Sequence, residues 1–123
     1  MNTDEKCIKI IINEIDDLFT ALERLQCIEK EDFFNDSHIK KIATQTLINI
    51  SETIDYISSE YKISNSEIDW KQFKTIRNIA AHKYGAINFF IVWQIVKVNL
   101  PDFRTKLILL TQNNVKSGAE QVL

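Results

Sequence analysis

Phe89-Phe90-Ile91-Val92-Trp93-Gln94-Ile95-Val96-Lys97-Val98 is the stretch on which the fold class turns. It is rich in β-branched and aromatic residues, which favour a strand. A strand needs a partner, however, and no second stretch of this kind is available to pair with it. A helix is therefore predicted, with Asn88 as its cap. Such a helix is apolar nearly all round and needs burial on both sides. That points to a core on one side and a subunit interface on the other.

The neighbouring sequence agrees with an all-helical reading. Pro101 suits the first turn of a last helix that carries Phe103, Leu107 and Leu110. Upstream, Ile8, Ile11, Ile12, Ile15, Leu18, Phe19, Leu22 and Leu25 form a helical stripe over residues 5 to 28. Glu14, Asp16, Asp17, Glu23 and Arg24 decorate its other face. The segment from Glu29 to Ser37 breaks the pattern. Asp36 or Ser37 then caps a second long stripe of Ile39, Ile42, Ala43, Leu47, Ile50, Ile54 and Ile57, running to about Glu60. A short connection makes the two stripes antiparallel. His38 opens this second helix as a surface residue. Tyr61 to Asp69 reads as a turn-rich linker, and Trp70 as the start of a further helix.

Composition bounds the rest. The chain has 123 residues, 45% hydrophobic and 26% charged, enough for one domain with a real core. With Gly 2 and Pro 1, few turns can be built and long helices follow. A glycine-rich phosphate loop is ruled out. The net charge of -2 argues against a broad nucleic-acid binder, though not against a local basic groove. Cys7 and Cys27 fall on one predicted helix, about 30 Å apart, too far to bridge. Free thiols fit a reducing compartment, and neither cysteine has a ligand-spaced partner. The acidic start, Met1-Asn2-Thr3-Asp4-Glu5, is unlike a signal peptide, and no apolar run reaches membrane-spanning length. A cytoplasmic chain without metal or cofactor is expected. The domain is expected over residues 1–113, with a flexible tail over 114–123.

One stretch carries chemistry: Arg77-Asn78-Ile79-Ala80-Ala81-His82-Lys83-Tyr84, followed by Gly85. On a helix that begins at Trp70, Lys71, Lys74, Asn78 and His82 form one polar stripe. Phe73, Ile76, Ala80 and Tyr84 form the opposite face. Arg77 and His82 diverge by roughly 140°. They meet at one ligand by one of two routes. Either the helix unwinds near His82, as Gly85 allows, or two copies of the chain share the site. Ala80 and Ala81 leave room for a second helix to come close. The plainer reading is a His and a Lys in the last turn that suit the helix dipole, a paired surface arginine, and a tyrosine packed beside Phe73 and Ile76.

The stretch from Arg77 to Gly85 resembles the signature of the HepT-like branch of the HEPN proteins. Ile91-Val92-Trp93, Asn99-Leu100-Pro101, Asp69-Trp70 and Ile50-Ser51-Glu52-Thr53 resemble its flanking segments. The resemblance runs from about Ile8 to Leu110. Ser51 stands where the family usually has Gly, and Asp69 where it often has Pro. Both departures bear on local packing. The resemblance implies an all-α, four- to five-helix antiparallel bundle that dimerises, with two Arg-x4-His motifs facing across a cleft. It implies the toxin of a type VII-like toxin–antitoxin pair and metal-independent RNA cleavage. It also implies a partner nucleotidyltransferase that attaches AMP to the motif tyrosine, here Tyr84.

The residue types fit that chemistry. RNA carries its own nucleophile, the 2′-hydroxyl. The His82 imidazole suits moving its proton or protonating the leaving oxygen. The Arg77 guanidinium suits the charge that grows on the phosphate. Asn78, one turn before His82, suits orienting its ring or the phosphate. Lys71 and Lys74 suit extending a basic track towards RNA. The competing reading is a non-catalytic helical module that docks a nucleotidyltransferase, which the net charge of -2 suits better.

Overall fold

The computed structural model describes residues 2–122, and the side chains of residues 2–113. Among the described residues there is no strand, and the Phe89 to Val98 stretch is helical. The elements are α1 (Thr3–Arg24), α2 (Lys30–Phe34), α3 (Ser37–Asp55), α4 (Ser59–Ser64), α5 (Lys74–His82), α6 (Phe89–Gln94) and α7 (Leu100–Val122). A 3-10 turn, Tyr84–Ala86, follows α5, and a π turn, Ile95–Asn99, joins α6 to α7. The expected tail over 114–123 lies outside the residues whose side chains are described.

α1 starts in a reciprocal cap. Asn2 Oδ1 accepts from the Glu5 amide at 2.8 Å, and Glu5 Oε2 accepts from the Asn2 amide at 3.3 Å. Its stripe of Ile8, Ile11, Ile15, Leu18 and Leu22 is buried. Each such side chain contributes about 1.5–3 kcal/mol when removed from water. α1 ends earlier than its sequence suggests. Gln26 adopts a left-handed φ of 56°. The Cys27 amide then donates to the Leu22 carbonyl at 2.9 Å, and the Gln26 amide to Glu23 at 3.1 Å. This pair of bonds closes a helix C-terminus and turns Cys27 and Leu22 inward together. Cys27 therefore lies beyond the helix, not on it. Both thiols are free and buried. Burial pushes each upward, aided by Asp4 at Cys7 and chiefly by Asp32 among the charges near Cys27. Neither is a poised nucleophile.

α1 and α3 pack antiparallel, as expected. Asp4 at the start of α1 accepts from the Ser58 amide at 2.7 Å and from its hydroxyl at 2.8 Å, beyond the end of α3. Midway, Asn49 Nδ2 donates to Glu14 at 3.4 Å. Asp36 caps α3 through bonds from His38 and Ile39. Ile39, Ala43, Leu47, Ile50 and Ile54 face the core, whereas Ile42 is on the exposed side. α3 stops at Asp55, five residues short of the expected Glu60. Ser58 then accepts from the Tyr61 amide to open α4, which starts within the expected end of the second helix and runs into the stretch read as a linker. Similarly, the break between the first two stripes holds α2. Its Phe33 is fully buried and meets Phe34, Phe89 and Trp93.

Asn88 caps α6 as predicted, accepting from the Phe90 amide at 3.0 Å. Pro101 falls in the first turn of α7, but no loop precedes it. Proline has no N–H and its ring crowds the carbonyl four residues back. The π turn over Ile95–Asn99 absorbs this misfit and keeps the helix going. Val92, Ile95 and Val96 are buried, whereas Phe90, Ile91 and Val98 remain exposed. No helix among the described residues is long and apolar enough to cross a membrane.

Candidate functional site

The motif helix α5 is fixed at its start by aromatic packing. The Trp70 indole donates to the Asn65 carbonyl at 3.1 Å, and its ring lies 6.3 Å from Phe103 of α7. Phe73 packs on the same Phe103 at 5.1 Å. Residues 70–73 are turns, so the helix begins at Lys74 and not at Trp70. Lys71 consequently stands outside the helix, on a turn in which Asp69 Oδ1 accepts its amide at 3.1 Å. The predicted polar stripe thus keeps Lys74, Asn78 and His82 and loses Lys71 as a helical member. Lys71 and Lys74 both line a groove of 540 Å³, together with Lys62 and Asp55.

Helical bonding persists through His82. The Arg77 amide donates to Phe73 at 3.3 Å and the Lys83 amide to Ile79 at 2.7 Å. Arg77 and His82 are therefore both on α5, about 140° apart around its axis. The chain leaves the helix at Lys83, with an extended φ of -160°. Gly85 takes no left-handed conformation and has open space about it, so it is not what ends the helix. Unwinding begins only after His82, so the first of the two predicted routes is not taken within one chain.

The two side chains differ in how they are held. Arg77 is 21% exposed, and its Nη1 donates to Asp55 Oδ2 at the end of α3. Its Nη2 donates to Asn78 Oδ1 at 3.3 Å. Asn78 therefore meets Arg77, while no bond to His82 joins it to the imidazole. His82 is exposed, and among the described residues none bonds its ring. The expected offset of one turn from Asn78 to His82 produces no contact.

Tyr84 is 40% exposed on the 3-10 turn. Its ring packs at 5.9 Å on Phe89, over which the Lys40 ammonium sits at 5.1 Å. Phe73 faces Phe103 instead, so the packing of Tyr84 is not the one its helical offset suggests. Lys41, Thr44, Gln45, Ile48 and Ala80 join Tyr84 around a second groove of 360 Å³ between α3 and α5. Among the described residues, no three His, Cys, Asp or Glu side chains converge as a metal site. Asp55 was not expected from the sequence. The signal for it was Arg77 itself, a charged side chain on an apolar edge that needs an acid.

Comparison with known proteins identifies the family. Residues 8–110 match the family model described as "Ribonuclease HepT-like". The chain is 28% identical to "Putative RNase MJ1380" of Methanocaldococcus jannaschii, over 71% of this chain and 80% of that protein. It is 24% identical to "Putative RNase TTE0752" of Caldanaerobacter subterraneus subsp. tengcongensis, over 87% of this chain and 93% of that protein. No solved structure matches the chain. The matched span runs from within α1 to within α7 and includes the whole of α5 with its Arg77 and His82. By that extent of match, on an all-helical fold, the chain belongs to the HepT-like family.

Proposed function

We propose that the protein is a metal-independent endoribonuclease whose active site is completed by a second copy of the chain. The observation that carries this is the divergence of Arg77 and His82 on a helix that stays wound between them. Each chain then holds half a site. The exposed apolar Phe90, Ile91 and Val98 also suit a second copy. In the reaction, the 2′-oxygen of RNA attacks the adjacent phosphorus as its proton passes to an imidazole. The bond to the 5′-oxygen breaks, and that oxygen takes a proton from an imidazolium. The products are a 2′,3′-cyclic phosphate and a 5′-hydroxyl. His82 moves the protons, Arg77 meets the phosphate charge with Asn78 beside it, and Lys71 and Lys74 guide the strand.

In this reading the chain is the toxin of a toxin–antitoxin pair. A partner nucleotidyltransferase silences it by attaching AMP to Tyr84. The half-exposed phenol at a turn beside an open groove supports this. An attached phosphate competes with RNA for Arg77. The test is to incubate the purified chain with total RNA and a chelator, beside His82→Ala. Cleavage by the first and not the second is expected. Cleavage by neither would favour the non-catalytic docking module. For control, co-expression with the partner should add one or more AMP masses, lost in Tyr84→Phe. An unmodified chain that is still neutralised would return Tyr84 to a packing role.

A further inference from the structure

Arg77 is gripped from two elements at once. Asp55 is the last residue of α3, and Asn78 is the next residue on α5. The guanidinium is a flat fork of five N–H donors. Nη1 gives one to Asp55 and Nη2 gives one to Asn78, so three remain. Asp55 is 22 residues from Arg77 in sequence. Its place is set by the packing of α3 on α5. Two acceptors on separate elements fix the plane of the fork as well as its position. Asp55 also lines the groove that holds Lys62, Lys71 and Lys74 together with Glu67 and Asp69.

We infer that Asp55 is a positioning residue: it holds Arg77 through Nη1 so that the remaining donors stand ready for an RNA phosphate. This rests on the reading of Arg77 as the phosphate-binding group. An arginine side chain has many rotamers, and ordering it during the reaction raises the barrier. A carboxylate that has already ordered it removes that step. The same carboxylate offsets part of the Arg77 charge, so it adds nothing to ground-state affinity for RNA. Its effect falls on kcat and not on KM.

The test uses the full chain, without metal, on a fluorophore–quencher RNA oligonucleotide of mixed sequence. Asp55→Ala should lower kcat by about 10- to 100-fold while KM stays level or falls. Asp55→Asn keeps an acceptor without the charge and should fall between Asp55→Ala and the parent. Asp55→Ala should cost nothing further in the Arg77→Ala background, because the two residues act as one unit. A merely structural Asp55 would give a loss that multiplies in that background, which overturns the inference. So does an Asp55→Ala chain that cleaves as fast as the parent, or faster, while Arg77→Ala is inactive. If Arg77→Ala itself cleaves normally, the reading of Arg77 fails, and this inference with it.

Discussion

Two arginine–aspartate pairs tie helices together in this fold, and they are built differently. Arg104 on α7 meets Asp16 on α1 fork to fork, Nε to Oδ1 at 2.7 Å and Nη2 to Oδ2 at 3.3 Å. Both carboxylate oxygens are used, and the bond to Asp16 pushes the guanidinium pKa up from its ordinary value. Arg77 meets Asp55 through Nη1 alone and sends Nη2 to Asn78. Each guanidinium keeps three of its five N–H donors. The difference lies in the acid and the setting: Asp16 is engaged through both oxygens, whereas Asp55 takes one bond from Arg77, which is 21% exposed on the same helix as an exposed imidazole. The first, closed pair is a brace between helices, and the second, open pair stands beside a group with chemistry to do.

The contrast breaks first at the site. Arg77→Ala and His82→Ala should each lower RNA cleavage by about 10²- to 10⁴-fold with little change in melting temperature. Equal activity in His82→Ala would place the chemistry elsewhere. The reverse pattern is expected at the core. Phe33→Ala should cost about 3–5 kcal/mol of stability by urea melt, because a fully buried ring leaves a cavity among Phe34, Phe89 and Trp93. A cost under about 1 kcal/mol would show that α2 is not part of the core.

Those two sites also show what the sequence disclosed. The long stripes were legible because Ile and Leu recur at helical spacing over many turns. Phe33 was not, because a five-residue helix is too short to display a period. α4 was hidden in the same way, and its serine cap reads equally well as a turn. The motif residues were legible by type and offset. Their surroundings were not. Arg77 was readable as one half of a pair, but its acid comes from another helix, and only packing brings it near. Gly85 reads as the residue that allows α5 to unwind because glycine so often ends helices. Here an extended Lys83 does it, with no left-handed residue required.

Smaller effects sharpen the comparison. Arg104→Ala should leave cleavage unchanged and cost no more than about 1 kcal/mol, since the pair is partly exposed on both sides. A large loss of activity would mean that the brace, and not the open pair alone, serves the site. Smallest is Gln26→Gly. The left-handed φ of 56° strains any residue with a Cβ, so glycine should raise stability by about 1 kcal/mol at fixed protein concentration. Destabilisation would show that the Gln26 side chain does more there than bear strain.

The central claim is that Arg77 of one copy works with His82 of another. Mixing Arg77→Ala chains with His82→Ala chains, after denaturation and joint refolding, tests it most directly. A mixed dimer keeps one intact Arg77–His82 pairing across its two-fold axis. With random pairing, the mixture should recover roughly a quarter of the parent cleavage rate from two inactive proteins. If both residues serve the same chain, no mixed dimer holds a complete site. The mixture would then stay as inactive as its parts, contradicting the shared site.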